Sequence, residues 1–307
     1  MNSKTEHYST KIRLIEPYST EFRVKCGRKD AGNTVREVLA RKLPRQPMEH
    51  WDNLAAQSNI RRNGDLVNGR QTVREGEQLT INAPRVVEPA VPDAVRIIDE
   101  TDDYLVAYKP APIPVHRGGR YNYNSLLAIL EARTGRKLHV IHRLDVVTSG
   151  LVLFGKTGEF TSFAQREFSQ NRVTKTYTCR VSGRPEWSSM ICTLPVYRRE
   201  GIRFAAGDNQ KSKSARTHFE LTKAGAEISL IKAQPLSGRT HQIRVHLQAL
   251  GHPVVDDPLY GPYPPKNGSM GALNRPISLY HMALDLGHGY FWKLNEISVD
   301  ELDGIEN

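Results

Sequence analysis

Ile141–Thr157 reads IHRLDVVTSGLVLFGKT. Its second half, Gly150-Leu151-Val152-Leu153-Phe154, is a continuous apolar run of strand length and predicts a buried strand. Its first half places His142, Arg143 and Asp145 immediately before that strand, which burial alone does not require. Loop residues held beside rigid elements often carry function. The block is therefore either a solvated turn or one wall of an active site.

Working outward, RIIDETDDYLVAYKP supplies two short strands separated by an acidic turn. Phe160, Phe163, Ala164, Glu167 and Phe168 recur at helical spacing, and RVTKTYTCRV alternates as a strand with Lys175 and Tyr177 on one face. ARTHFELT and AEISLIKAQ are further strands. In SGRTHQIRVHLQALGHPVV, Ile243, Leu247 and Leu250 form one apolar helical face that Gly251 terminates. Strands outnumber helices and many connections are hairpin-like, so the expected class is α+β around a mainly antiparallel sheet.

The N-terminal third has its own signals. Asn33, Thr34 and Glu37 form a capping-box pattern ahead of a short helix, and Pro47 stands at the entrance of a second with Trp51, Leu54 and Ala55 as its stripe. Asn68-Gly69 is a hairpin-turn signal. APRVVEPAVPDAV, with Pro84, Pro89 and Pro92, reads as a linker that continues neither a helix nor a central strand. The expected organisation is a small module over 1–88, a linker over 89–95 and a large domain over 96–307.

Composition bounds the function. The 307 residues carry a formal charge of +10, and 38% are hydrophobic, enough for a real core. Residues 1–92 hold sixteen Lys and Arg against eleven Asp and Glu, so half the excess lies in under a third of the chain. The direct reading is a polyanionic partner, nucleic acid, against the blander reading of a merely soluble basic protein. Three scattered cysteines, Cys26, Cys179 and Cys192, form neither a CxxC pair nor an even disulfide framework. They suggest a reducing compartment without structural zinc. No apolar run is long enough to span a membrane, and the N-terminus lacks a secretory signal. Cytoplasmic placement is expected, with organellar or nuclear placement open. Without coiled-coil heptads, a monomer is the default.

HRLDVVTSGLVLFGKT resembles the signature of the RluA-type RNA pseudouridine synthases. Four further blocks agree in order: YKPAPIPVH, KTYTCRVSG, LSGRTHQIRVHLQALGHPVVDDPLYG and LYHMAL. Each alone is weak, and five in sequence are specific. IPVHRGGRYNYNSL resembles the branch acting on tRNA anticodon arms. Two helices followed by a basic hairpin resemble a degenerate αL RNA-binding module of the ribosomal-protein type. The resemblance implies a pseudouridine synthase fold and isomerisation of uridine in tRNA or rRNA, with no cofactor and no metal.

The same resemblance assigns roles. Asp145 is the carboxylate that meets C1′ as nucleophile or as stabiliser of positive charge. Arg239 is its cationic partner, and Tyr177 packs on the target base and is a candidate base for a sugar proton. The uridine must be flipped out, and Arg143 fills the vacated stack. His142 orients the loop, Thr148 ties it to its backbone, Lys175 holds a phosphate or is merely solvated, and Ile243 walls the base pocket or the core.

The residues alone invite other readings, and each lacks a part it needs. His241, Arg244 and His246 invite a metal site, but no Cys or carboxylate completes it at the usual spacing. His218-Phe219-Glu220 matches half of a zinc-deaminase signature without its Pro-Cys-x-x-Cys. A base glycosylase would need a positioned water and usually a second carboxylate, for which Asp256-Asp257 are candidates by composition. A non-catalytic RNA-binding relative should have lost one of Asp145, Tyr177 and Arg239, and all three are present.

Overall fold

The computed structural model describes residues 12–44, 46–261 and 275–294. The chain divides into two compact units, Ile15–Glu88 and the remainder. The first elements are β1 (Ile12–Arg13), β2 (Tyr18–Lys25), α1 (Val35–Lys42), α2 (Met48–Ala56), β3 (Ile60–Arg62), β4 (Asp65–Leu66), β5 (Gln78–Val86) and β6 (Val91–Pro92).

In the small unit, α1 and α2 cover a four-stranded sheet of order β2-β5-β3-β4. Glu37 Oε2 accepts from Thr34 N at 2.8 Å, so the first helix starts at its capping box. Val35, Val38 and Leu39 of α1 meet Trp51, Leu54 and Ala55 of α2 over Ile60, Leu79 and Ile81 of the sheet.

Three sequence expectations are corrected here. The hairpin turn is Asn63-Gly64, between β3 and β4, not Asn68-Gly69. Both central residues, Asn63 (φ 49°) and Gly64 (φ 100°), take the positive φ that a tight two-residue turn needs. Asn68 instead folds its side-chain oxygen onto the amides of Arg70 and Gln71. The proline-bearing segment from Ala83 is not irregular throughout, because β5 continues through Pro84 to Val86. There β5 pairs only with β2, with a register shift near Tyr18 and Thr20, so the missing amide is tolerated. Finally, residues 12–14 belong with the large unit, because β1 pairs with β6. The small unit is thus inserted between two paired strands.

The large unit continues with β7 (Arg96–Glu100), β8 (Tyr104–Lys109), α3 (Leu126–Thr134), β9 (His139–Val140), β10 (Ser149–Gly155), α4 (Gly158–Ser169), β11 (Thr174–Ser182), β12 (Ser189–Cys192), β13 (Val196–Glu200) and β14 (Arg203–Ala206). It ends with β15 (Thr217–Lys223), β16 (Ile228–Pro235), α5 (Gln242–Ala249), β17 (Leu279–Gly287) and β18 (Tyr290–Lys293). Its main sheet has the order β12-β15-β16-β11-β17-β10-β8-β7, with β18 beside β17 and β9 beside β10. The pairings are antiparallel except β10 with β17, so the sheet is mixed and mostly antiparallel. No helix among the described residues is long and apolar enough to cross a membrane.

β10 is buried at every residue. Val152 and Phe154 enter the core shared with Leu126, Ile129, Ile243 and Leu247. Leu151 and Leu153 enter the opposite core with Phe160, Ala164 and Leu284. Two covered faces explain why the run is continuously apolar instead of alternating.

Gly150 sits where β8, β10 and β17 meet, at φ +123°. A Cβ there would come within 2.4 Å of His281 O and 2.5 Å of His281 N. Gly150→Ala combines a forbidden φ with a backbone clash. It should cost more than about 2 kcal/mol of unfolding free energy, read from the denaturant midpoint. A midpoint unchanged from the parent protein would contradict the close approach.

Candidate active site

Asp145 lies in the turn between β9 and β10, which closes through Thr148 N to Asp145 O at 3.1 Å. The rigid strand behind it fixes this turn. His142 reinforces the attachment: its Nε2 accepts from Leu153 N at 3.1 Å, and its ring stacks on Phe168 at 4.8 Å. Burial, with His281 and Lys175 adding to it, holds the His142 pKa well below the usual imidazole range. The neutral ring thus accepts from a strand amide eleven residues on.

Lys109 adds a second tether. Its fully buried Nζ donates to Ile113 O (2.8 Å), Val146 O (3.1 Å) and Pro110 O (3.3 Å), joining the end of β8 to the Asp145 turn. Burial pulls its pKa down to about 7, with Asp145 opposing.

The partner of Asp145 is Arg244, not Arg239. Arg244 Nη1 donates to Asp145 Oδ2 at 2.9 Å. Arg244 lies within α5, its side chain 1% exposed, and its other two donors are taken by Asp257: Nε to Oδ2 at 2.6 Å and Nη2 to Oδ1 at 2.9 Å. Asp257 Oδ1 also accepts from Leu259 N and Tyr260 N, so backbone amides hold the clamp. Arg239 precedes the helix on the exposed loop, where its Nε donates to Ser214 O at 2.9 Å. Only the helix position faces inward at this depth.

His241 completes the surround. It caps α5 in the left-handed conformation, φ 56°, with Nδ1 2.7 Å from the Tyr260 hydroxyl and Nε2 3.8 Å from Asp145 Oδ1. Burial lowers its pKa, with Asp145 opposing. For Asp145, burial raises the pKa, but His241, Arg244 and Arg143 overcome it and the net direction is down. Because the folded value lies below the unfolded one, this ionisation stabilises the fold above about pH 4 and the contribution is lost as pH falls further.

Around the carboxylate lies a cavity of about 420 Å³. The eight residues given roles by the family resemblance line it: His142, Arg143, Asp145, Thr148, Lys175, Tyr177, Arg239 and Ile243. Asp145 is the one carboxylate lining it among the described residues. Tyr177, on β11, is buried and stacks on His281 at 4.6 Å and 19°. Burial and Asp145 both raise its phenol pKa. Ile243 serves core and cavity together. Arg143 is exposed at the rim. Thr148 does not tie the loop through its hydroxyl, since Oγ1 is buried without a partner. Lys175 is partly buried, and burial lowers its pKa.

Other sequence suspects have structural employment. His246 Nδ1 contacts Thr217 Oγ1 and its Nε2 contacts Leu194 O, at 2.9 and 2.8 Å. His218 contacts Ser189, and Glu220 pairs with Lys232. Sequence reasoning missed Tyr260 and Lys109, and it met Arg244 only beside a possible metal and Asp257 only as a glycosylase carboxylate. The available signal was Arg244 itself, a charged residue between Ile243 and Val245 on an apolar helix.

Residues 103–249 match the family model for RNA pseudouridylate synthase. An uncharacterized RNA pseudouridine synthase of Helicobacter pylori is 32% identical over 233 residues, covering 74% of this chain and 75% of that protein. Pseudouridylate synthase RPUSD2 of Homo sapiens is 30% identical over 254 residues, 81% of this chain and 46% of its own length. The mitochondrial tRNA pseudouridine(32) synthase of Saccharomyces cerevisiae is 30% identical over 254 residues, 81% and 55%. The chain thus spans about half the length of several curated relatives it matches. Among solved structures, human RNA Pseudouridylate Synthase Domain Containing 1 superposes with a TM-score of 0.54 at 25% identity, covering 68% of this chain and 85% of that one.

The electrostatics of the pair are testable directly. Arg244→Met removes one of the charges that lower the Asp145 carboxyl while leaving it enclosed, so the carboxyl should titrate higher than in the parent protein. Carboxyl carbon NMR would follow the titration, and a midpoint unchanged from the parent protein would discard Arg244 as the counter-ion. Asp257→Ala, which leaves Arg244 buried and half paired, should cost about 3–5 kcal/mol in unfolding free energy.

Proposed function

Because this chain belongs to the RNA pseudouridine synthase family, we propose that it isomerises uridine in structured tRNA or rRNA to pseudouridine, with Asp145 as the essential carboxylate. The observation carrying the proposal is a single ionised carboxylate, backed by a buried arginine, at the wall of a cavity that Tyr177 and Ile243 also line.

The reaction breaks N1–C1′, turns the base and forms C5–C1′; the hydrogen on C5 leaves and N1 gains one. Nothing is oxidised or hydrolysed. An ionised carboxylate beside C1′ serves as nucleophile or as stabiliser of the developing positive charge. Arg244, held by Asp257, keeps Asp145 ionised and aimed without contacting substrate through its other donors. Tyr177 supplies an apolar ring against the base. Its raised pKa leaves the resting group a phenol, so sugar-proton removal by Tyr177 needs the phenol proton to leave first. Arg239 and Lys175 contribute charge to the cavity for the RNA backbone, and Thr148 Oγ1 is free to meet the flipped nucleotide. His142 acts by orienting the loop.

An RNA uridine has to leave its stack to reach this depth, and Arg143 at the rim is the planar cation available to fill the gap. The small unit, with two helices on a short sheet, is read as a degenerate αL module that adds RNA affinity. The tRNA anticodon arm is the favoured target, with rRNA the alternative, and the protein is read as a cytoplasmic monomer. The glycosylase reading is weakened because Asp257, its candidate second carboxylate, is consumed by Arg244.

RNA tritiated at uridine C5 tests the reaction. Label should be released without chain cleavage, and Asp145→Asn should abolish release while retaining RNA binding. Free uracil would favour a glycosylase, and full activity in the Asn variant would refute the role of Asp145. The small unit is tested by replacing residues 15–88 with a short Gly-Ser linker, which the pairing of β1 with β6 permits. RNA affinity should fall and its salt slope flatten, with label release at saturating RNA retained. An unchanged slope would remove the RNA-binding role of that unit.

A further inference from the structure

Val196–Arg216 carries six Lys and Arg against two acidic residues, a dense basic segment outside the small unit. Its core is the β13–β14 hairpin, a two-stranded sheet separate from the main one. Val196 also exchanges backbone hydrogen bonds with Lys213, at 2.9 and 2.8 Å, which returns the chain alongside the hairpin.

The hairpin is fastened to the apparatus around Asp145. Val196 packs with Val245, Leu259 and Tyr260. Phe204 N donates to the Tyr260 hydroxyl at 2.9 Å, the same hydroxyl that meets His241. The Phe204 ring lies edge-on to His241 at 5.3 Å, and the Arg198 guanidinium stands 6.0 Å from the Phe204 centroid.

Between the hairpin and the loop before α5 lies a second cavity of about 320 Å³. Arg198, Lys211, Lys213 and Arg239 line it together with Tyr197 and Phe204, and among the described residues no carboxylate does. Gly238, Arg239 and Thr240 line both this cavity and the one around Asp145, so the two are adjoining compartments of one surface. Four cations without an anion, beside aromatic rings, fit a phosphodiester and its base.

We propose that this second cavity is the subsite for the nucleotide adjoining the flipped uridine: its phosphodiester lies among Arg198, Lys211 and Lys213, and its base lies against Tyr197. The proposal rests on the reading of the protein as an RNA enzyme. The subsite fixes the strand beside the reacting uridine, so it acts on binding and register and not on the chemical step. Because the hairpin is bonded to Tyr260, the grip on the neighbouring nucleotide is built on the element that supports His241 and Arg244.

The test is the double variant Arg198→Ala/Lys213→Ala in the full chain, compared with Lys223→Ala/Lys293→Ala, which removes equal charge from exposed sites lining neither cavity. Fluorescein-labelled oligouridylate is titrated in the Asp145→Asn background across a range of KCl. Loss of two phosphate contacts should weaken binding roughly tenfold and reduce the salt slope by about 1.4, at about 0.7 for each single-strand contact. In the active background, KM for RNA should rise while C5 label release at saturation stays within about twofold, as loss of ground-state binding requires. A slope and affinity matching the control pair would overturn the subsite. So would a fall in the saturated rate with KM unchanged. A parent protein that released no label, with the slope difference intact, would defeat the enzymatic reading and leave the RNA subsite supported.

Discussion

The site depends on keeping one carboxylate ionised inside protein. Enclosure of Asp145 favours the neutral acid, and the effective penalty for each buried ion is several kcal/mol. A guanidinium at 2.9 Å offsets this by roughly 6 kcal/mol at an effective dielectric near 20. Those magnitudes are comparable, so one arginine that was itself free to move would not suffice. Asp257 resolves the problem by immobilising Arg244 through two donors while two backbone amides immobilise Asp257. The result is a chain of alternating charges, Asp257–Arg244–Asp145, whose first member lies behind the cavity wall and whose last supplies the carboxylate that lines it.

That chain links distant sequence. Asp145 belongs to the turn before β10, Arg244 to α5 and Asp257 to the turn following that helix. β10 provides the anchorage, because its side chains enter apolar cores on both faces. Lys109 and His142 then bind the preceding turn to the sheet through backbone groups. Lys109 and His142 are used here for their hydrogen-bonding capacity in a buried setting, and the negative charge at the cavity is left to Asp145.

Legibility followed how local each feature was. The helix over 158–169, the strand pair before Lys109 and the alternating strand bearing Lys175 and Tyr177 all follow from periodicity and were readable. The turn at Asn63-Gly64 was not separable from Asn68-Gly69, since both dipeptides have the same propensity and only strand pairing selects one. Pro84 misled because its tolerance depends on whether a neighbouring strand requires its amide, which is a property of the sheet edge. β1 is two residues long and acquires meaning only from β6, seventy-odd residues away.

By itself the sequence determined the buried strand, the α+β class, the basic balance and the residue types that gather at the cavity, because these rest on composition, period and motif. Tertiary structure alone decided which arginine neutralises Asp145. Arg239 and Arg244 are five residues apart, and a helix that begins between them turns one toward the core and leaves the other at the mouth. Electrostatic partnership depends on distance and burial in three dimensions, and neither is written in the spacing of the chain.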